Sequence, residues 1–190
     1  MDTKRLYDED FVLWSKQQVE ALRAAAHSGS NQQLDWDHLA EEIEDLGNSL
    51  RLAVESQISR IIQHQVTLAH SPAVDPRKGW RRTIRQARAE IDRILQKNPS
   101  LRREIPHLIE DETQRAVELA LRDLEEYDEI DRLDVPSLRR ASFSEEQVLG
   151  DWFAADPRVS SGITMPRSGA TFAGRAPILT RRAAVRASQA

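Results

Sequence analysis

From Asp35 to His70 the chain runs for 36 residues without a proline. Its apolar residues Leu39, Ile43, Leu46, Leu50, Val54, Ile58, Ile61 and Leu68 recur at the spacing of one helix face. A continuous helix here is roughly 54 Å long at 1.5 Å per residue, so neighbouring segments must be laid along it. Asp35 is placed to cap it, with Leu34 and Leu39 as a hydrophobic staple. Gly47-Asn48 lies inside and costs about 1 kcal/mol relative to alanine. That glycine marks a close-packing point, a bend or a break. The apolar stripe keeps its phase across it, so one continuous helix is expected, ended by Ser71 to Pro76.

The flanking segments carry the same period. Asp8 is placed to cap a helix over 9–27, with Tyr7 and Val12 as its staple and Phe11, Trp14, Val19, Leu22 and Ala26 on its buried side. Asp75-Pro76 opens a helix over 76–97 whose stripe is Trp80, Ile84, Ala87, Ile91 and Leu95. Ser100 is expected to cap a helix over 101–127, bent or restarted near Pro106. Asp134-Val135-Pro136 reads as a linker. Ser144 with Gln147 reads as a capping box opening a short helix over 144–153. The expected fold is an all-α antiparallel bundle of four main helices plus that short one, in a single domain over 1–156. Beyond it the pattern disappears, and 157–190 reads as a disordered basic tail.

Charge is strongly partitioned. Residues 1–156 hold 21 basic and 31 acidic side chains, whereas 157–190 hold six arginines and no acid. Asp35 to Asp45 carries six acids and no Lys or Arg, and Arg77 to Arg103 carries ten basic residues against two acids. A tight hairpin between the second and third main helices would put His64 near Thr83, and the acids at 42–45 near Arg102 and Arg103. The bands then neutralise each other or stay solvated, each exposed pair contributing only ~0–1 kcal/mol. Alternatively Arg81, Arg82, Arg85 and Arg88 form a basic face for an anionic partner, with Trp80 as a stacking platform. Nucleic acid is disfavoured by the acid excess of residues 1–156.

Motifs for chemistry are sparse. The absence of cysteine excludes disulfides, thiolate metal sites and cysteine nucleophiles, and agrees with a reducing compartment. No apolar run approaches the ~20 residues of a membrane span, and the first ten residues lack a signal-peptide core. A cytoplasmic protein without membrane contact is expected. There is no phosphate-binding glycine loop, no His-Glu-x-x-His and no serine elbow. A carboxylate-bridged metal centre would need two Glu-x-x-His pairs. Glu104-Ile-Pro-His107 is one candidate, with a proline inside it, and His38 to Glu41 runs in the reverse order. No metal or cofactor is expected. His64 borders the apolar stripe and is the best single candidate for a base, but it needs a carboxylate within ~3 Å. Glu42 shares its side of the helix at roughly 33 Å along the axis, so the two meet only if the helix folds back.

Four stretches together carry a resemblance: L-Y-D-E-D-F-x-x-W, L-A-E-E-I-E-D-L-G, His64, and G-W-R-R-T-I-R-Q-A-R. With a looser likeness at S-E-E-Q-V-L-G-D-W-F, residues 6 to 153 resemble the bacterial family called domain of unknown function 29. The matching positions are Tyr7, Phe11, Trp14, Glu42, Gly47, His64, Trp80, Arg81 and Thr83. The resemblance implies a small, mostly helical protein and supplies no reaction; the Arg-bearing tail departs from the family pattern. The expected function is a non-catalytic protein-interaction or regulatory module with a protein partner or self-association. The alternatives are nucleic-acid association through residues 77–103 and the tail, and an enzyme with a site around His64. Candidate binding residues are Glu42, His64, Trp80, Arg81, Thr83, Arg85 and Arg88.

Overall fold

The computed structural model describes residues 3–28 and 34–158. The tail expected to be disordered lies, from residue 159 on, outside the described residues. Within them the elements are α1 (Thr3–Glu9), α2 (Phe11–His27), α3 (Trp36–His70), α4 (Arg77–Lys97), a 3-10 turn at Pro99–Arg103, α5 (Ile105–Glu126), a 3-10 turn at Ile130–Arg132, α6 (Val135–Leu138) and α7 (Glu145–Leu149). No strand occurs among the described residues. The all-α bundle expected from periodicity is what forms.

α3 is the spine, an unbroken helix of 35 residues. Its two halves have different surroundings. From Val54 to Leu68 it buries Val54, Ile58, Ser59, Ile61, Ile62, Gln65, Val66, Thr67 and Leu68. A single stripe cannot bury so many positions, so this half is enclosed on several sides. α4 returns beside it after a short loop. α5 runs in the same direction as α3, since Arg51 reaches Glu104 at the start of α5 (3.3 Å) and Gln63 reaches Asp123 near its end (2.7 Å). The N-terminal half buries only Ala40 and Gly47, and its neighbour is α2.

Gly47 proves to be the close-packing point. A Cβ there would stand 2.2 Å from Ser15 Oγ and 3.2 Å from Ser15 Cβ. Ser15 is buried and donates its hydroxyl to Val12 O at 2.9 Å. A glycine facing a serine lets the two backbones approach more closely than larger side chains allow. The break in the spine that glycine would permit does not occur.

Five local expectations are corrected, one being the Ser100 cap: α5 starts at Ile105 with no side-chain cap, and the Ser100 hydroxyl donates to Asp10 instead. Asp8 does not cap the first long helix: the chain is already helical over α1, and Asp10 caps α2 by accepting from Leu13 N at 2.9 Å. Asp10 is 5% exposed and also accepts from Ser100 N (2.7 Å) and Ser100 Oγ (2.9 Å), so one carboxylate serves two helix starts. A carboxylate with these local and distant donors outcompetes its neighbour Asp8. Asn98 completes the junction by accepting from Val12 N at 3.3 Å. The helix expected from 76 starts at Arg77, with Pro76 as its cap residue and no side-chain cap. Asp134-Val135-Pro136, read as a linker, opens α6, with Asp134 accepting from Ser137 N and Oγ. The Ser144–Gln147 capping box forms as expected, although α7 ends at Leu149, short of 153.

Asp10→Ala should lower unfolding stability by about 2 kcal/mol, the sum expected for losing one cap and stranding part-buried donors. Urea denaturation measures it, and Asp8→Ala should change the midpoint little.

Candidate functional site

The candidate residues divide between the two halves of α3. Glu42 is exposed on the N-terminal half and His64 half-buried on the C-terminal half. Because α3 is continuous, the 22 residues between them rise roughly 33 Å. They do not meet. His64 lies within electrostatic reach of Asp123 on α5, whose carboxylate already accepts from Gln63. Across the α3–α4 pair, Gln65 and Arg88 reach the same acceptors, Gln147 O and Trp152 O. Of the acids at 42–45, Glu44 finds another neighbour than Arg102 and Arg103. Glu44 pairs with Arg23 of α2 at 2.7 Å. α4 runs beside the C-terminal half only, which leaves α2 alongside the acidic end.

On α4, Trp80 is half-buried and packs against the core. Thr83 donates to Gly79 O at 3.2 Å, one turn back on its own helix. The basic face splits. Arg82 and Arg85 are exposed, whereas Arg88 turns inward. Its guanidinium donates to Val148 O (2.8 Å), Gln147 O (3.0 Å) and Trp152 O (2.7 Å). These carbonyls lie at the C-terminal end of α7 and just beyond it, where the helix dipole favours a cation. Arg88 and Arg81 also stand over the Phe153 ring, 5.0 and 5.7 Å from its centroid, a cation–π arrangement. Burial pulls the Arg88 pKa down, opposed by Asp151 and Glu146.

The strap of residues 144–156 is therefore held from three directions. Gln65, 1% exposed, donates to Trp152 O at 2.9 Å and accepts from Ala154 N at 2.9 Å. Buried Arg77 donates to Ser71 O and Leu68 O and pairs with Asp156 at 3.3 Å. Gln65 and Arg77 were not among the sequence candidates. The signal for Gln65 was present: a polar residue among Ile61, Ile62, Val66 and Leu68 must find partners for its amide.

The described residues hold no cluster of three or more His, Cys, Asp or Glu side chains able to bind a metal. A cleft of about 200 Å³ lies between α2 and α3, floored by Val12, Val19 and Gly47. The cations on its rim are matched by acids: Lys16 with Glu104 (2.9 Å), Arg23 with Glu44, and Arg51 with Glu55 and Glu104 (3.3 Å each). No described helix is long and apolar enough to cross a membrane.

Residues 6–153 match the family model described as domain of unknown function DUF29. The chain belongs to this family. A crystal structure of an alpha-helical protein of unknown function from Rhodospirillum rubrum is similar, with 26% identity and a TM-score of 0.58 over 76% of this chain and 89% of that one. No match is found among curated proteins. In this DUF29 chain, several of the positions by which it resembles the family have visible structural work. Tyr7, Phe11 and Trp14 form an aromatic cluster at the α1–α2 elbow, with Tyr7 edge-on to Phe11 (5.5 Å) and Trp14 (4.8 Å). Gly47 admits α2, and Arg81 backs Phe153.

Two histidines near the strap end of α3 are taken partly out of water. Burial pulls the pKa of His70 down, and burial also lowers that of His64 against the opposing pull of Asp123. The unfolded chain takes up these protons near pH 6.5 and the folded chain only at lower pH. Stability is therefore full above about pH 6.5 and is lost as pH falls from there through the folded values. His70, with no carboxylate opposing its burial, should dominate. His70→Gln should flatten the decline in urea midpoint between about pH 7 and pH 5 more than His64→Gln does.

Proposed function

We propose that this chain is a non-catalytic protein-interaction module whose contact face is the N-terminal half of α3, and that it takes a basic amphipathic segment of a partner protein. One observation carries the reading: Leu39 and Leu46 are 40% and 56% exposed. They stand on a three-four ladder with Ile43, the spacing of a coiled-coil seam, which runs on into Leu50 and Ala53 where the helix packs against the core. At 100° per residue, Glu42 falls within about 60° of both leucines. Glu42 and Asp45 have no ion-pair partner among the described residues. A second copy presenting the same acidic face would be repelled, whereas arginines beside leucines would be matched in both charge and apolarity.

A synthetic helical peptide with leucines on one face and arginines on the other is a suitable probe, followed by fluorescence anisotropy and by amide shifts. Leu46→Asn should weaken its binding at least about tenfold, the equivalent of unburying one leucine. Glu42→Lys should weaken it further and reduce its salt dependence. Unchanged affinity in Leu46→Asn, or shifts confined to α4 and α5, would contradict the reading.

A further inference from the structure

The leucine ladder has a fitting occupant within the same chain. Arg175 to Arg186 carries four arginines and no acid, with Ile178, Leu179 and Val185 among them. The ladder offers the converse, Leu39 and Leu46 with Glu42 between them and Asp45 alongside. Building on the interaction reading above, we propose that residues 175–186 dock in cis on the N-terminal half of α3 and compete there with the partner segment.

Charge alone does not select this face. α5 also presents exposed acids, including Glu110, Asp111, Glu125 and Glu126. Among the described residues, the large hydrophobics exposed by 40% or more are Tyr7, Leu34, Leu39, Leu46, Leu52, Val74 and Tyr127. Tyr127, just past α5, is a lone apolar residue with no ladder. Only the N-terminal half of α3, among the described helices, joins spaced exposed leucines to an acid-rich surface, the pairing that a segment of arginines and branched apolar residues matches.

Reach permits the contact. The Arg77–Asp156 pair ties the end of the strap to the level of Leu68 and Ser71, through the bonds of Arg77 to their carbonyls. From Leu68 to Leu46 is roughly 33 Å along α3. The 17 residues from Arg158 to Arg175 span up to about 56 Å when extended. Tethering also holds the segment at high effective concentration near the face, so weak intrinsic affinity suffices. A partner must then displace the tail, and its apparent affinity is reduced by the fraction of chains whose ladder is free.

The cysteine-free sequence allows a direct test in the full chain. A nitroxide on Ala183→Cys should broaden the amides of Leu39, Glu42 and Leu46 several-fold more than those of Glu118 to Glu126. Arg181→Glu, Arg182→Glu and Arg186→Glu together should abolish that broadening. The same triple substitution in the chain without the nitroxide should tighten binding of the leucine–arginine probe peptide by about tenfold if the tail occupies the face about nine-tenths of the time. Broadening at α5 instead, or none, overturns the proposal. So does broadening of isotope-labelled chains by separate nitroxide-bearing copies, which would mean docking between molecules. If the tail makes no contact while the peptide still binds at Leu46 with equal affinity in both chains, the tail proposal fails and the interaction reading stands. If the peptide does not bind at Leu46 in either chain, the interaction reading fails as well.

Discussion

Arg88→Ala should release the strap of residues 144–156 and lower stability by about 2 kcal/mol, the scale for stranding Val148 O and weakening the hold on the two carbonyls that Gln65 also reaches. Three carbonyls converge on this one guanidinium, and Phe153 lies beneath it. The strap shares its hold with Gln65 and Arg77, so the loss should appear first as local opening. Amides from Gln147 to Ala154 should lose most of their exchange protection, and Trp152 fluorescence should shift before global unfolding. Arg88→Lys keeps the charge but replaces a planar fork with a point donor. It should recover less than half of the loss. Reversal of exposed Arg82 or Arg85 should leave the strap in place, separating the structural arginine from its neighbours on the same helix.

Gly47→Val should separate α2 from α3 at a cost of about 3 kcal/mol, at the upper end of ordinary overpacking. Even the alanine Cβ meets Ser15 Oγ at 2.2 Å. Gly47→Ala gains about 1 kcal/mol of helix propensity, which offsets part of the clash, and its net effect should be small. A double-mutant cycle isolates the contact. Ser15→Ala removes the hydroxyl, so Gly47→Ala should be less costly in that background, by about 1 kcal/mol. In Gly47→Val, exchange should accelerate across Val12 to Ala26, while amides of α4 and α5 keep their protection. These elements and the C-terminal half of α3 share a core that does not require Gly47.

Much of this fold is legible in the sequence, because apolar spacing is a local property. The stripe Ile84, Ala87, Ile91 and Leu95 is buried as read, and the Ser144 capping box forms. What the residues do not announce are contacts between distant segments. Asp8 and Asp10 are equally good caps locally; only the arrival of Ser100, 90 residues on, decides for Asp10. Arg88 looks like one of several arginines on a basic face until the strap returns over it. His64 has the side chain suited to acid–base chemistry, yet its neighbour Gln65 makes the buried contacts. The apolar spacing of α3 is the same in both halves and does not say which stretch is covered. Leu39 and Leu46 are exposed because α2 packs against Ala40 and Gly47, beside the stripe.

One continuous helix is core along its C-terminal half, and the proposed contact face occupies its N-terminal half. Residue-resolved amide exchange along α3, with and without the leucine–arginine probe peptide, tests it most directly. Amides from Val54 to Leu68 should exchange only with global unfolding, whereas those from Leu39 to Leu50 should open more readily and be slowed by the peptide. Uniform protection along α3, or slowing by the peptide anywhere but its N-terminal half, would contradict it.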